Sequence, residues 1–144
     1  MKRYLLIGIC GALGAISRFL VKGINISGYI GKIPLNTLII NVSGSLLLAF
    51  ILTVAFEIWF FDEDIRLGIA TGFLGAYTTF STLCKETVGL VQQGLLFSAA
   101  SYVTLSLAFG LAAAYLGVVL ARTIVPKIFK MSDEPDKSYD GGVE

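Results

Sequence analysis

Residues 72–86 read GFLGAYTTFSTLCKE, and this stretch decides how the chain is built. It lies within an apolar segment, Leu67 to Val91, yet it carries Thr78, Thr79, Ser81, Thr82, Lys85 and Glu86. Gly72 and Gly75 loosen the backbone, and Thr78 and Thr79 are β-branched and weak helix formers. The spacing therefore predicts a helix whose hydrogen-bond ladder opens just after Gly75. Irregular backbone at membrane depth persists only where protein, water or an ion satisfies it. Freed carbonyls there suit a hard cation, and exposed N–H and O–H groups suit an anion.

The surrounding chain belongs in a bilayer. Of 144 residues, 56% are hydrophobic and 15% charged, with a mean hydropathy of +0.82. A soluble domain of this size cannot hide so much apolar surface from water. Four apolar segments, Tyr4 to Val21, Leu35 to Phe56, Leu67 to Val91 and Leu95 to Ala121, are each long enough to cross a core of about 30 Å. The basic start and apolar run of the first resemble a signal peptide, but the run is nearly span length and more spans follow, so it reads as a transmembrane helix.

The expected fold is an all-α integral membrane protein with four transmembrane helices, the third broken. Residues 1–125 form the transmembrane domain and 126–144 a polar tail, expected to be disordered and dispensable for the membrane fold. The links are a Gly-punctuated loop over 22–34 ending at Pro34, an acidic link from Glu57 to Arg66 with the interface aromatics Trp59, Phe60 and Phe61, and a tight turn at Gln92 to Gly94.

An even number of spans puts both termini on one side. Lys2, Arg3, Arg66, Arg122, Lys127 and Lys130 flank the spans there, against Arg18, Lys22 and Lys32 opposite. That bias favours cytoplasmic termini and leaves insertion in both directions open. A net charge of +1 and the absence of His give no sign of a nucleic-acid partner or a zinc site. Cys10 and Cys84 lie in apolar segments and read as small hydrophobes. Gly11 with Ala15, Gly68 with Gly72 and Gly110 with Ala114 have the four-residue spacing of close helix packing.

Few polar side chains interrupt the spans. Thr37, Asn41 and Ser45 recur at every fourth residue on one face of the second, as do Ser98, Tyr102 and Ser106 on the fourth. Such faces meet each other or line a wet path, because facing lipid is costly. A single Ser or Thr commonly bonds back to its own helix. Asn41 differs, since its amide needs a partner across an interface or a ligand. Lys85 and Glu86 divide between an ion pair and a pore mouth. Arg18 either snorkels to the interface or turns inward, where it brings positive potential to a vestibule.

GALGAISRF (11–19), PLNTLIINVSGS (34–45) and GFLGAYTTFSTLCKE (72–86), in this order on four short spans, resemble the CrcB/Fluc fluoride channels. The resemblance covers the whole membrane portion. It implies a passive, fluoride-selective channel that exports fluoride from the cytoplasm, in the plasma membrane of a bacterium, built as an antiparallel, dual-topology dimer with two pores. It implies a sodium ion at the dimer centre, held by the carbonyls of Gly75 and Thr78. Asn41 matches the pore asparagine, Phe80 the first pore phenylalanine, and Ser81, Thr82, Tyr102 and Ser106 the hydroxyl track, with Glu86 at the glutamate position. Thr37 joins this pore set from the same face as Asn41, and Arg18 stands at the vestibule.

Leu83 stands where the family usually has a second phenylalanine, and Gly75 and Ala76 replace paired glycines. Homodimer and heterodimer with a paralogous subunit both remain open on these residues. No nucleophile–base pair or phosphate loop appears, so no catalysis is assigned. Two other readings are a small proton-coupled multidrug exporter and a non-conducting partner subunit. The exporter requires an acid in the membrane, usually in the first span, which here has Arg18 and none.

Overall fold

The computed structural model describes residues 1–24, 32–58 and 62–132. Helix α1 runs Lys2–Lys22 and α2 runs Leu35–Thr53, continuing through a wider π-helical turn at Val54–Ile58. Helix α3 (Glu63–Leu67) starts the third span and passes into a π-helical segment, Gly68–Leu74. A short α4 (Gly75–Tyr77) precedes the break, α5 (Phe80–Gln92) follows it, and α6 spans Leu96–Ser132. Among the described residues, three helices are long and apolar enough to cross a membrane, Lys2–Lys22, Leu35–Glu57 and Leu96–Lys127. The third apolar segment is divided, as its sequence predicts.

The break falls later than expected. Gly75 keeps helical angles (φ −63°, ψ −33°), and Thr78 N–H still donates to the Leu74 carbonyl at 3.0 Å. The chain becomes extended only at Thr78 (ψ 159°) and Thr79 (φ −151°, ψ 108°). Glycine permits an opening but does not require one. The opening comes where other partners replace the ladder.

Small residues bring the backbones together. A Cβ at Gly14 would fall on the Phe73 carbonyl, one at Gly72 on the Ile7 carbonyl, and one at Gly117 on the Leu46 carbonyl. These contacts seat α1 on the Gly68–Leu74 segment and α6 on α2, the close approach that helices in lipid depend on. Of the three expected pairs, Gly11 and Gly72 meet each other and Gly110 approaches Ser45. One buried cluster joins Ile40, Leu74 and Tyr77, and another joins Leu83, Leu90, Ala99 and Tyr102. Leu5, Ile9, Leu13, Ile16 and Leu20 form an exposed apolar stripe along α1, as on a lipid-facing helix.

At the termini side, Arg122 donates to both carboxylate oxygens of Glu57 at 2.7 Å. Arg3 meets Glu63 at 3.2 Å and also pairs with Asp64. On the opposite side, the Asn36 side chain donates to the carbonyls of Lys22 (2.8 Å) and Ile24 (3.0 Å), closing the end of α1. The turn before α6 has Gly94 at φ 76°, a conformation glycine adopts without strain.

Helix α6 has 37 residues, about 55 Å at about 1.5 Å each, so it extends well beyond a bilayer core. It contains Pro126, and helix continues to Ser132, past the expected start of the tail at residue 126. Residues 133–144 of that tail, the interface aromatics Trp59, Phe60 and Phe61, and residues 25–31 of the first loop lie outside the described residues.

Candidate functional site

The break in the third span is held from α2. Thr79 N–H donates to Asn41 Oδ1 at 2.8 Å, and Asn41 Nδ2 donates to the Thr79 carbonyl at 3.1 Å. One turn along, Gly44 makes room for the Thr78 methyl, on which a Cβ would fall. Ser43 and Tyr77 bond through their hydroxyls at 2.9 Å, and the Tyr77 ring stacks on Phe73 with centroids 6.0 Å apart. Asn41 thus supplies the partner its sequence position demands, and that partner is backbone.

Two of the N–H groups that would have continued the ladder across the break go to side chains instead. Thr79 N–H, which would have closed the ladder on the Gly75 carbonyl, goes to Asn41. Thr82 N–H, which would have closed it on Thr78, donates to Thr79 Oγ1 at 3.2 Å, so Thr79 caps α5. Gly75 and Thr78 both line a cavity of about 470 Å³ on the open face of the break. Asn41, Phe80 and Ser106 share that cavity, and Phe80 is 77% exposed.

A second cavity, of about 490 Å³, lies on the other side of Thr79 and is lined by Arg18, Lys22, Thr37, Thr79, Ser81 and Thr82 among others. Arg18 therefore turns inward. Thr79 lines both cavities.

The hydroxyls differ in what they have left to give. Thr79 Oγ1 donates to Thr82 Oγ1 at 2.9 Å, so in its 3.3 Å contact with Ser81 the serine donates. This short relay leaves the Thr82 hydrogen uncommitted beside the second cavity. Asn41 likewise keeps one N–H beyond its bond to Thr79. Thr37 and Tyr102 are committed: both donate to Glu86, at 3.0 and 2.8 Å on separate carboxylate oxygens. Ser45 and Ser106 bond back to their own helix, to the carbonyls of Asn41 and Tyr102. Tyr102 is fully buried, and Leu83 packs in its cluster.

The family model described as CrcB-like protein, Camphor Resistance (CrcB), matches residues 5–118. The chain belongs to the CrcB family. It is 42% identical over 119 residues to the Fluoride-specific ion channel FluC of Syntrophotalea carbinolica, covering 82% of this chain and 96% of that protein. It is 39% identical over 122 residues to the Fluoride-specific ion channel FluC of Anaeromyxobacter dehalogenans, covering 85% and 97%. A 43% match over 119 residues to the protein of that name from Methylococcus capsulatus spans about half, 52%, of the relative's length.

This CrcB chain gives roles to residues that its sequence alone did not place in the site. Thr79 is the joint of the break, and its position three residues before Thr82 at the head of an apolar run is an N-cap signal. Lys22 lines the basic cavity, although in the sequence it reads as one more loop-flanking charge. Gly44 has no local signal, because the need for it comes from Thr78 on another segment.

Proposed function

We propose that the chain is a passive channel for fluoride, reducing the toxicity of the ion by letting it leave the cytoplasm. What carries this reading is the pair of cavities meeting at Thr79, with uncommitted neutral donors where they meet. Fluoride is small and holds water tightly, so a pathway must replace that shell with closely spaced donors. Arg18 draws the anion into the basic cavity. The Thr82 hydroxyl and the Asn41 N–H then take it in turn, and the Phe80 ring offers the positive edge of its quadrupole. Ser81 feeds its hydrogen into the relay that ends at Thr82. Thr37 and Tyr102 donate to the ion only when Glu86 releases them. Ser106 does so only when it leaves its own helix. None of the donors carries a fixed positive charge, so the ion departs as readily as it arrives.

The carbonyls of Gly75 and Thr78, whose usual helical donors go to side chains, have the chemistry of a sodium site, and they would hold such an ion at the centre of a dimer. Sodium would supply the positive charge that offsets those carbonyl dipoles. Two antiparallel copies, or this chain and a paralogue, would cover the open cavity and present Phe80 of each chain to a shared wall. The leading test is Thr82→Val, which keeps shape and removes the uncommitted hydrogen. In liposomes, fluoride efflux falls by at least about tenfold, the worth of one hydrogen bond to a charged group. Full efflux from Thr82→Val would remove the donor relay from the pathway.

A further inference from the structure

A carboxylate lies behind the wall of the basic cavity, against its lining residues Thr37 and Lys22, and an anion pathway has to manage that charge. Glu86 is held behind Thr37, with its side chain 22% exposed, and receives two neutral hydroxyl hydrogens. The cation beside it is Lys22, whose Nζ is 3.9 Å from Glu86 Oε1. That distance exceeds a direct hydrogen bond but is within ionic reach. The Lys22 side chain is 53% exposed and also lines the cavity with Arg18. Its backbone is fixed, because Asn36 donates to the Lys22 carbonyl at 2.8 Å. The adjacent Lys85 is exposed and does not line the cavity.

We propose that Lys22 is the counter-charge that keeps this mouth open to anions, neutralising Glu86 so that the potential of Arg18 is felt in the cavity. The inference rests on the fluoride-channel reading. With Lys22 present, the charges around the mouth, Arg18, Lys22 and Glu86, leave one positive charge in excess. Without it, Arg18 and Glu86 cancel and the attraction is lost. Because Lys22 is not locked by a hydrogen bond, its ammonium also remains free to swing towards an entering ion. The role is electrostatic, acting on entry, and Lys22 is a positioning residue for charge rather than part of the donor relay.

The test uses the full chain in neutral phosphatidylcholine liposomes. Fluoride efflux is measured with an ion-selective electrode at about 20 mM and about 500 mM ionic strength, where the screening length is roughly 20 Å and roughly 4 Å. Potassium gluconate sets the ionic strength. Lys22→Gln and Lys22→Met lower efflux about tenfold at low ionic strength and less than about threefold at high, since focused potentials act on entry and salt removes them. Lys22→Arg stays within about twofold of the parent at both. Equal efflux from Lys22→Gln and the parent at low salt overturns the proposal. So does a loss of the same size at both salts, or a loss in Lys22→Arg as deep as in Lys22→Met. A parent that releases no fluoride removes the channel reading itself, a failure distinct from these.

Discussion

The carboxamide of Asn41 is bonded at both ends to one residue, Thr79, through Oδ1 at 2.8 Å and Nδ2 at 3.1 Å. A side chain from α2 thereby takes the place of the neighbouring rungs in a broken helix. This is how an extended pair of residues, Thr78 and Thr79, persists within an apolar span where water is scarce.

Asn41→Asp separates the two halves of that bond. Oδ1 still accepts Thr79 N–H, but a carboxylate oxygen replaces both hydrogens of Nδ2, the one on the Thr79 carbonyl and the one that faces the pathway. The variant still elutes as an assembled protein by size-exclusion chromatography, with a lowered melting temperature because the Thr79 carbonyl loses its donor. Its fluoride efflux falls by about ten- to a hundredfold, the loss of one charge-assisted hydrogen bond, and like-charge repulsion deepens it.

Gly44 is the space into which the Thr78 methyl fits. Gly44→Val sets three carbons against Thr78 and Tyr77 and pushes the break away from α2. Overpacking of this kind costs about 1–3 kcal/mol. We expect a lowered melting temperature in detergent and a loss of flux, whereas Gly75→Ala, where a Cβ meets nothing within 4 Å, leaves the melting temperature near that of the parent.

Leu83 packs with Tyr102 and borders the open cavity. Leu83→Phe restores the ring that the family usually has there. Efflux in liposomes stays the same or rises. A clear fall would mean that Leu83 is not on the pore wall.

If the carbonyls of Gly75 and Thr78 hold sodium, exchanging it for N-methylglucamine during purification leaves them without a partner. The melting temperature of the purified assembly then drops and recovers when sodium returns. Potassium at the same ionic strength restores it less well.

Much of this arrangement could be read from residue order. Apolar run lengths placed the spans, and Gly72, Gly75 and the paired threonines marked the third as broken. They put the opening too early, because local flexibility does not fix a break. Its position is set by Asn41, a residue 38 positions from Thr79 in sequence. The polar stripes were found by spacing, but spacing does not show where a hydroxyl hydrogen goes. Ser45 and Ser106 bond to their own helix, Thr37 and Tyr102 to Glu86, and Thr82 remains uncommitted. Lys22 has no local signal because its cavity is assembled by Thr37, Ile40 and Thr82 from two other segments.

The most direct measurement is halide release from liposomes holding only this purified chain, loaded with equal fluoride and chloride. The account predicts rapid loss of fluoride with chloride retained. Retention of both ions, or release of both at similar rates, would contradict it.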